Sequence, residues 1–317
     1  MKPPYNLSPK ILQLITSISE KLGEVNATYL SKQSPQLRKA NKIKTIHSSL
    51  QIEGNTLSED QITALIENKR VVGPKKEILE VMNAIKVYDN LTVYKSASEK
   101  SFLKAHQILM NHLIEKSGKY RTKGVGIVKG SKLEHVAPSQ KQVPYLMKDL
   151  FEYVKDKDEL PLIKSCVFHY ELEFIHPFID GNGRMGRLWQ TIILMEAYPV
   201  FEFLPFETLI SKTQKEYYKS LSLSDNAGKS TIFIEYMLNV INKSLEVLLK
   251  YKSRTLKNTD RLSYFINKNI RQFTRKDYMA VFKDISTATA SRDLKVGIEQ
   301  KLLKKAGKKS KTLYKLV

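Results

Sequence analysis

His176-Pro177-Phe178-Ile179-Asp180-Gly181-Asn182-Gly183-Arg184-Met185-Gly186-Arg187 gathers an imidazole, a carboxylate, an amide between glycines and two guanidinium groups on one short turn. The glycines free the backbone to take φ > 0, so successive N–H groups can converge into an anion-binding nest. Leu188-Trp189 and Ile192-Ile193-Leu194 follow as an apolar helical run. A helix beginning near Arg184 would add the positive end of its dipole to the nest. Arg184 and Arg187 carry forked donors that match phosphate oxygens. An acid and a base beside such a nest point to phosphate chemistry with a bound divalent cation.

Other phosphate and cation motifs fit less well. An EF-hand loop starting at Asp180 would put Arg184 where an oxygen ligand belongs, and it lacks the loop's glycine and closing glutamate. A Walker A loop needs Gly-Lys-Ser/Thr, which is missing here. The run resembles the signature of the Fic family, His-x-Phe-x-(Asp/Glu)-Gly-Asn-Gly-Arg-x-x-Arg, with every fixed position matched. That resemblance implies a helical fold and transfer of AMP from ATP to a protein hydroxyl. It implies that His176 is the general base and that Asp180 holds Mg²⁺ against the phosphates. It further implies that Gly181, Asn182 and Gly183 cradle the phosphates while Arg184 and Arg187 neutralise them. Independent chemistry agrees, because a hydroxyl attacking an α-phosphorus needs positioning, charge neutralisation and a base.

A second short motif stands upstream. Ser49-Leu50-Gln51-Ile52-Glu53-Gly54 resembles the Ser/Thr-x-x-x-Glu-Gly/Asn inhibitory motif of many Fic proteins. By that resemblance Ser49, Glu53 and Gly54 are inhibitory residues, and Glu53 pairs with Arg187. An arginine held by a carboxylate cannot also grip a γ-phosphate, so ATP would bind in a pose unsuited to in-line attack. The motif precedes the main signature, which implies an inhibitor carried in the same polypeptide.

The fold class the resemblance implies is mainly α: a Fic-type helical bundle with a small β-hairpin flap, plus a carboxy-terminal winged helix. Apolar spacing predicts helices over Pro9–Leu30, from Pro35 to Ile52, and from a capping box at Ser58–Gln61 to Asn68. Further helices are expected over Lys76–Val93 and Phe102–Ile114, from a second capping box at Ser139–Gln142 to Tyr153, and from Pro161 to the signature. His106, His112 and His169 read as structural, and Cys166 as packing rather than a nucleophile. Gly124, Gly126 and Gly130 around Val125, Ile127 and Val128 indicate a hairpin. By resemblance this is a flap, following the Tyr120-Arg121 pair, in which Ile127, Val128, Lys129 and Gly130 register a target segment by main-chain pairing. By resemblance too, Tyr217 and Tyr218 border the adenine, with Asn226 or Asp225 on the loop Ser224–Gly228 as a polar contact. Thr231–Leu249 reads as a long closing helix.

The formal charge is +21, and residues 251–317 hold 18 Lys+Arg against 5 Asp+Glu, which places +13 there. Such asymmetry points to a nucleic-acid-facing domain. Ile285–Leu294 resembles the recognition helix of a winged helix-turn-helix. Lys304, Lys305, Lys308, Lys309 and Lys311 on the following hairpin are in reach of phosphates. The expected divisions are an inhibitory helical region (1–75), a catalytic core (76–256) and the winged helix (257–317). One cysteine excludes a disulfide framework and a Cys-based zinc site. With no signal-peptide core at Met1–Pro4 and no apolar run long enough for a bilayer, a cytoplasmic protein without membrane contact is expected.

The leading expectation is therefore an autoinhibited adenylyltransferase that uses ATP and Mg²⁺ and acts on a Ser, Thr or Tyr hydroxyl of a target protein or of itself. A DNA-binding regulator with a nucleotide-sensing domain and a de-AMPylase are the alternatives. A homo-oligomer is compatible with the sequence, which does not name the target.

Overall fold

The structure, a computed structural model, describes residues 2–27, 35–124, 126–129, 132–255, 258–266, 272–282, 285–307 and 312–316. It is mainly helical and divides into two compact units, Met1–Leu245 and Glu246–Val317.

The first unit opens with α1 (Pro9–Ala27), α2 (Pro35–Ile52), α3 (Glu59–Ile66), α4 (Lys75–Tyr88) and α5 (Glu99–Leu109). A hairpin follows, β1 (Gly126–Lys129) paired antiparallel with β2 (Lys132–Val136). After it come α6 (Val143–Lys155), α7 (Pro161–Ile175), α8 (Asn182–Ala197), α9 (Glu207–Lys212), α10 (Gln214–Ala227) and α11 (Thr231–Thr255), whose residues from Glu246 on belong to the second unit. The Ser58 capping box forms as expected, with Gln61 reaching back to the Ser58 amide. Gly54, at φ 91, turns the chain after α2 as a C-terminal stop should.

Several boundaries differ from the sequence reading. Helix α4 ends at Tyr88, and Leu91–Val93 form a separate 3₁₀ turn. Helix α5 starts at Glu99 behind a Ser98 cap and stops at Leu109. Ser139 and Gln142 do bond each other, but they close a turn, and α6 begins only at Val143 with Pro144 in its first turn. Residues 224–227, expected in a loop, are the last turn of α10, which Gly228 caps at φ 61. Ser34, Gly130, Lys308, Lys309 and Lys311 lie outside the described residues. The sequence draws a boundary at residue 75, yet α2 packs against α4, α8 and α9 as well as α3 inside the first unit.

Helices α7 and α8 form the centre of this unit. Pro161 opens α7, where its missing N–H costs nothing, and side chains are buried all round both helices. Phe102, Phe151, Phe168, Phe178 and Trp189 interlock beside them, with ring centroids 5.0–6.5 Å apart. Cys166 belongs to this core, and burial pushes its thiol up to about 12, which makes it inert at neutral pH. Among the described residues no helix is long and apolar enough to cross a membrane.

The second unit carries α12 (Asn258–Ile266), β3 (Gln272–Phe273), α13 (Arg275–Val281), α14 (Thr287–Glu299), β4 (Leu303–Ala306) and β5 (Leu313–Leu316). Its strands form an antiparallel sheet in the order β3-β5-β4. Leu262, Phe265, Phe273, Tyr278, Ala290, Leu294 and Leu303 make its core. Asp293 on α14 is buried beside them and accepts from Arg261 through two hydrogen bonds of 2.5 and 2.8 Å and from the Tyr278 hydroxyl at 3.2 Å. Asp293→Ala removes the carboxylate that accepts from two nitrogens of a guanidinium only 11 % exposed. Removing one partner of such a pair costs about 3 kcal/mol, an expected loss that thermal denaturation of the variant measures.

Candidate active site

The signature turn is built by the junction of α7 and α8. His176 ends α7 in the left-handed region (φ 49, ψ 60), with its amide still donating to Leu172 O at 2.9 Å. This is a strained conformation for a residue with a Cβ, and the surroundings enforce it. Arg121, 3 % exposed, donates to the carbonyls of His176 (2.7 Å), Ile175 (3.2 Å) and Pro138 (2.6 Å), while its amide bonds Pro177 O at 2.8 Å. Sequence reading marked Arg121 merely as the start of the flap; its clamp on the turn is a role it missed. Within Lys119-Tyr120-Arg121-Thr122-Lys123 nothing distinguishes the one buried cation from its exposed neighbours.

His106 buttresses the other side. Its ring stacks on Phe178 at 3.5 Å between centroids, Nδ1 accepts from the Gly118 amide at 2.8 Å, and Nε2 lies 3.0 Å from Asp180 O. Burial lowers its pKa to about 4, so the imidazole is neutral and Nε2 donates to that carbonyl. The structural role expected for His106 thus includes holding the turn. His169 is a core histidine as read, between Gln190 Oε1 (2.8 Å) and the Tyr217 hydroxyl (3.0 Å).

Helix α8 begins at Asn182, two residues earlier than expected, behind Gly181 at φ 90. The first amides of a helix have no intrahelical acceptor, so this turn presents N–H donors along a positive dipole end. Asn182 does not reach outward with its side chain: Oδ1 accepts from Phe178 N at 2.9 Å and Nδ2 donates to Phe178 O at 3.0 Å. A Cβ on Gly183 would lie 2.5 Å from Glu53 Oε1, 3.1 Å from Arg187 Nη1 and 3.2 Å from Glu173 Oε1. The glycine is required there for space rather than for φ. Gly183→Ala puts a methyl in the space over the first amides of α8, and we expect weakened nucleotide binding, read by calorimetry.

A cavity of about 240 Å³ opens over this turn. Its floor is His176, Asp180, Gly181, Asn182 and Gly183, and its walls are Glu53, Glu173, Tyr217, Tyr218 and Asp225 with apolar neighbours. The imidazole and the converging amides expected to act together thus share one cavity. Tyr217 is almost wholly buried, and its hydroxyl bonds Glu173 Oε1 at 3.0 Å. Asn226 is exposed and away from the lining, because the helical register turns Asp225 inward instead. Asp225 accepts from the Tyr170 hydroxyl at 2.8 Å.

Both arginines are buried and engaged rather than open to the cavity. Arg184 Nη2 pairs with Asp180 Oδ1 at 2.8 Å and Nη1 with Glu80 at 3.4 Å. Arg187 Nη2 donates to Glu53 Oε1 at 2.6 Å and to Ser49 O at 2.9 Å, and Nε to Ser49 Oγ at 3.1 Å. Although burial works against its charge, Glu53 and its neighbours hold Arg187 above the usual guanidinium range. The end of α2 is pinned in this position: Gln214 Nε2 donates to Ile52 O (2.7 Å) and Ser211 Oγ to Gln51 Oε1 (2.7 Å). Ile127, Val128 and Lys129 lie on β1, whose partner strand β2 neighbours α10.

Residues 96–194 match the Fic/DOC family. Over its full length the chain superposes on the crystal structure of a Fic family protein from Desulfovibrio desulfuricans with a TM-score of 0.78, at 36 % identity, covering 98 % of that chain. The chain belongs to the Fic family. Among curated Fic relatives it is 28 % identical over 259 residues to protein adenylyltransferase Fic of Nematostella vectensis, covering 76 % of this chain and 58 % of that one. To protein adenylyltransferase Fic of Drosophila grimshawi it is 30 % identical over 251 residues, covering 74 % of this chain and 49 % of that one. The chain spans about half the length of these relatives.

Proposed function

We propose that this Fic protein is an autoinhibited protein adenylyltransferase, which moves AMP from ATP to a Ser, Thr or Tyr hydroxyl of a target protein or of itself. The observation that carries the reading is the shared cavity of His176, Asp180 and the Gly181–Gly183 amides, with the nearby Arg187 occupied by Glu53. The target oxygen attacks the α-phosphorus, a new P–O bond forms, and the bond to the bridging oxygen breaks to release pyrophosphate. His176 takes the hydroxyl proton, and the α8 amides together with Arg184 and Arg187 balance phosphate charge.

Asp180 suits Mg²⁺: its side chain is 44 % exposed at the cavity, and its contacts to Gly181 N and Arg184 both run through Oδ1. Among the described residues no three His, Cys, Asp or Glu side chains cluster as a metal cage. One carboxylate completed by phosphate oxygens and water is the ordinary Mg²⁺ set. Such an ion, when bound, neutralises phosphate charge.

Purified protein given α-labelled ATP and Mg²⁺ is expected to label itself or a partner weakly. Mass spectrometry of the Glu53→Gly form after incubation with mixed nucleotides identifies the group transferred. Absence of any adduct on protein or lysate overturns the reading, and loss of AMP from a pre-modified target would support removal instead.

A second activity is favoured by the carboxy-terminal charge. Among the described residues, α12, α13, α14 and a three-stranded sheet are consistent with a winged helix; the Ser286 cap and α14 residues Thr287, Ala288, Arg292 and Lys295 are exposed, as are Arg275 and Lys276 on α13. DNA binding by this unit predicts affinity that falls steeply with salt. A mobility-shift titration from 50 to about 200 mM salt tests it.

A further inference from the structure

Arg187 lies among more carboxyl groups than it needs. Glu53 takes Nη2, while Nη1 has no hydrogen-bond acceptor among the described residues although it is buried. The Gly183 Cβ position shows where the neighbours converge: Glu53 Oε1, Arg187 Nη1 and Glu173 Oε1 all crowd that one point. Glu173 stands on the last turn of α7, lines the nucleotide cavity and is 13 % exposed. Neither sequence motif includes it.

We propose that Glu173 is a second acceptor for Arg187, and that its carboxyl must carry a proton for a nucleotide phosphate to take that place. The inference rests on the nucleotide-transfer reading of the cavity. It adds a positioning residue to it, one that competes with phosphate for the same guanidinium and does so only when ionised.

The groups facing Glu173 set its charge. Glu53 comes from the turn after α2, Arg187 from α8, Tyr217, Tyr218 and Asp225 from α10, and His169 and His176 from its own segment. Burial first, then the Glu53 charge, raise its carboxyl to about 7, against the pull of Arg187 and the Tyr217 hydroxyl. His169 offers no counter-charge, since burial lowers it to about 3. Removing Glu53 removes one raising influence, so Glu173 ionises more readily and turns to the vacated guanidinium. An incoming phosphate supplies fresh negative charge and drives the proton back on. Binding of ATP then takes up a proton, and affinity falls as pH rises, by up to about tenfold per unit where the free carboxyl is ionised.

The test uses full-length protein carrying Glu53→Gly and His176→Ala, which cannot turn over and has no imidazole at the turn to titrate. Calorimetry with ATP in two buffers of different ionisation enthalpy counts protons, between pH 6 and 8.5. At pH 8.5 we expect an uptake near one proton with Glu173 present and none with Glu173→Gln, and at least about thirtyfold tighter binding by the Gln form. The two affinities converge as the pH is lowered to 6. Equal pH slopes in both proteins, or no proton uptake in the parent, overturn the proposal; the parent measurement stands alone should the Gln variant misfold. No ATP binding by either protein would sink the nucleotide reading itself, an outcome distinct from binding without a proton.

Discussion

Glu53→Gly is expected to raise label transfer from α-labelled ATP by about 100-fold, the scale at which a misplaced reacting group limits rate. Three of the contacts made by the Arg187 side chain go to the end of α2: two to Ser49 and one to the Glu53 carboxylate. A guanidinium so committed offers phosphate no bidentate grip, and the Glu53 oxygen itself stands against Gly183 where phosphate would approach. Glycine removes both obstacles. Glu53→Gln separates them: it keeps an acceptor for Arg187 without the negative charge, so its labelling should fall between wild type and Glu53→Gly. Equal labelling by wild type and Glu53→Gly, measured with excess ATP and Mg²⁺, would show that α2 does not restrain the site. The variant should remain folded, because Ile52 and Leu50 stay buried and Gln214 still caps the Ile52 carbonyl.

The turn and the helices that meet there were legible because their residues obey local rules. Pro161 announces α7, Gly181 the break before α8, and Gly54 the end of α2. The Glu53–Arg187 pair joins positions far apart in sequence and was expected only through resemblance; the 2.6 Å contact is now a feature of the fold. What local rules could not give is partner choice at a distance. Arg121 and His106 hold the turn through backbone carbonyls, which have no residue type to read. In the sequence Glu173 is one acid on a helix, and its meaning depends on Glu53 arriving from another element. Of Asn226 and Asp225, offered together as the polar contact, Asp225 is the one that lines the cavity, a choice of helical register that taking Ser224–Gly228 as a loop hides.

His176→Ala in the Glu53→Gly background should reduce label transfer by 10²–10⁴-fold, the usual contribution of a positioned general base, and leave ATP binding within a few-fold. The argument comes from how firmly the chain holds this residue. A left-handed histidine at a helix end is unfavourable unless the surroundings fix it, and here Arg121 on its carbonyl and Leu172 on its amide do so. Nδ1 points toward Glu173 O at 3.4 Å; an N–H at Nδ1 directed there leaves the lone pair on Nε2 for an incoming hydroxyl. In the proposed mechanism the phosphates are held by the α8 amides and arginines, none of which the substitution removes, so affinity and rate should part company. A variant that loses ATP binding together with transfer would show that the imidazole holds the turn rather than the proton. One that transfers at the parent rate would put the base elsewhere, and Glu173, the nearest cavity carboxyl on the same helix, would be the residue to replace next.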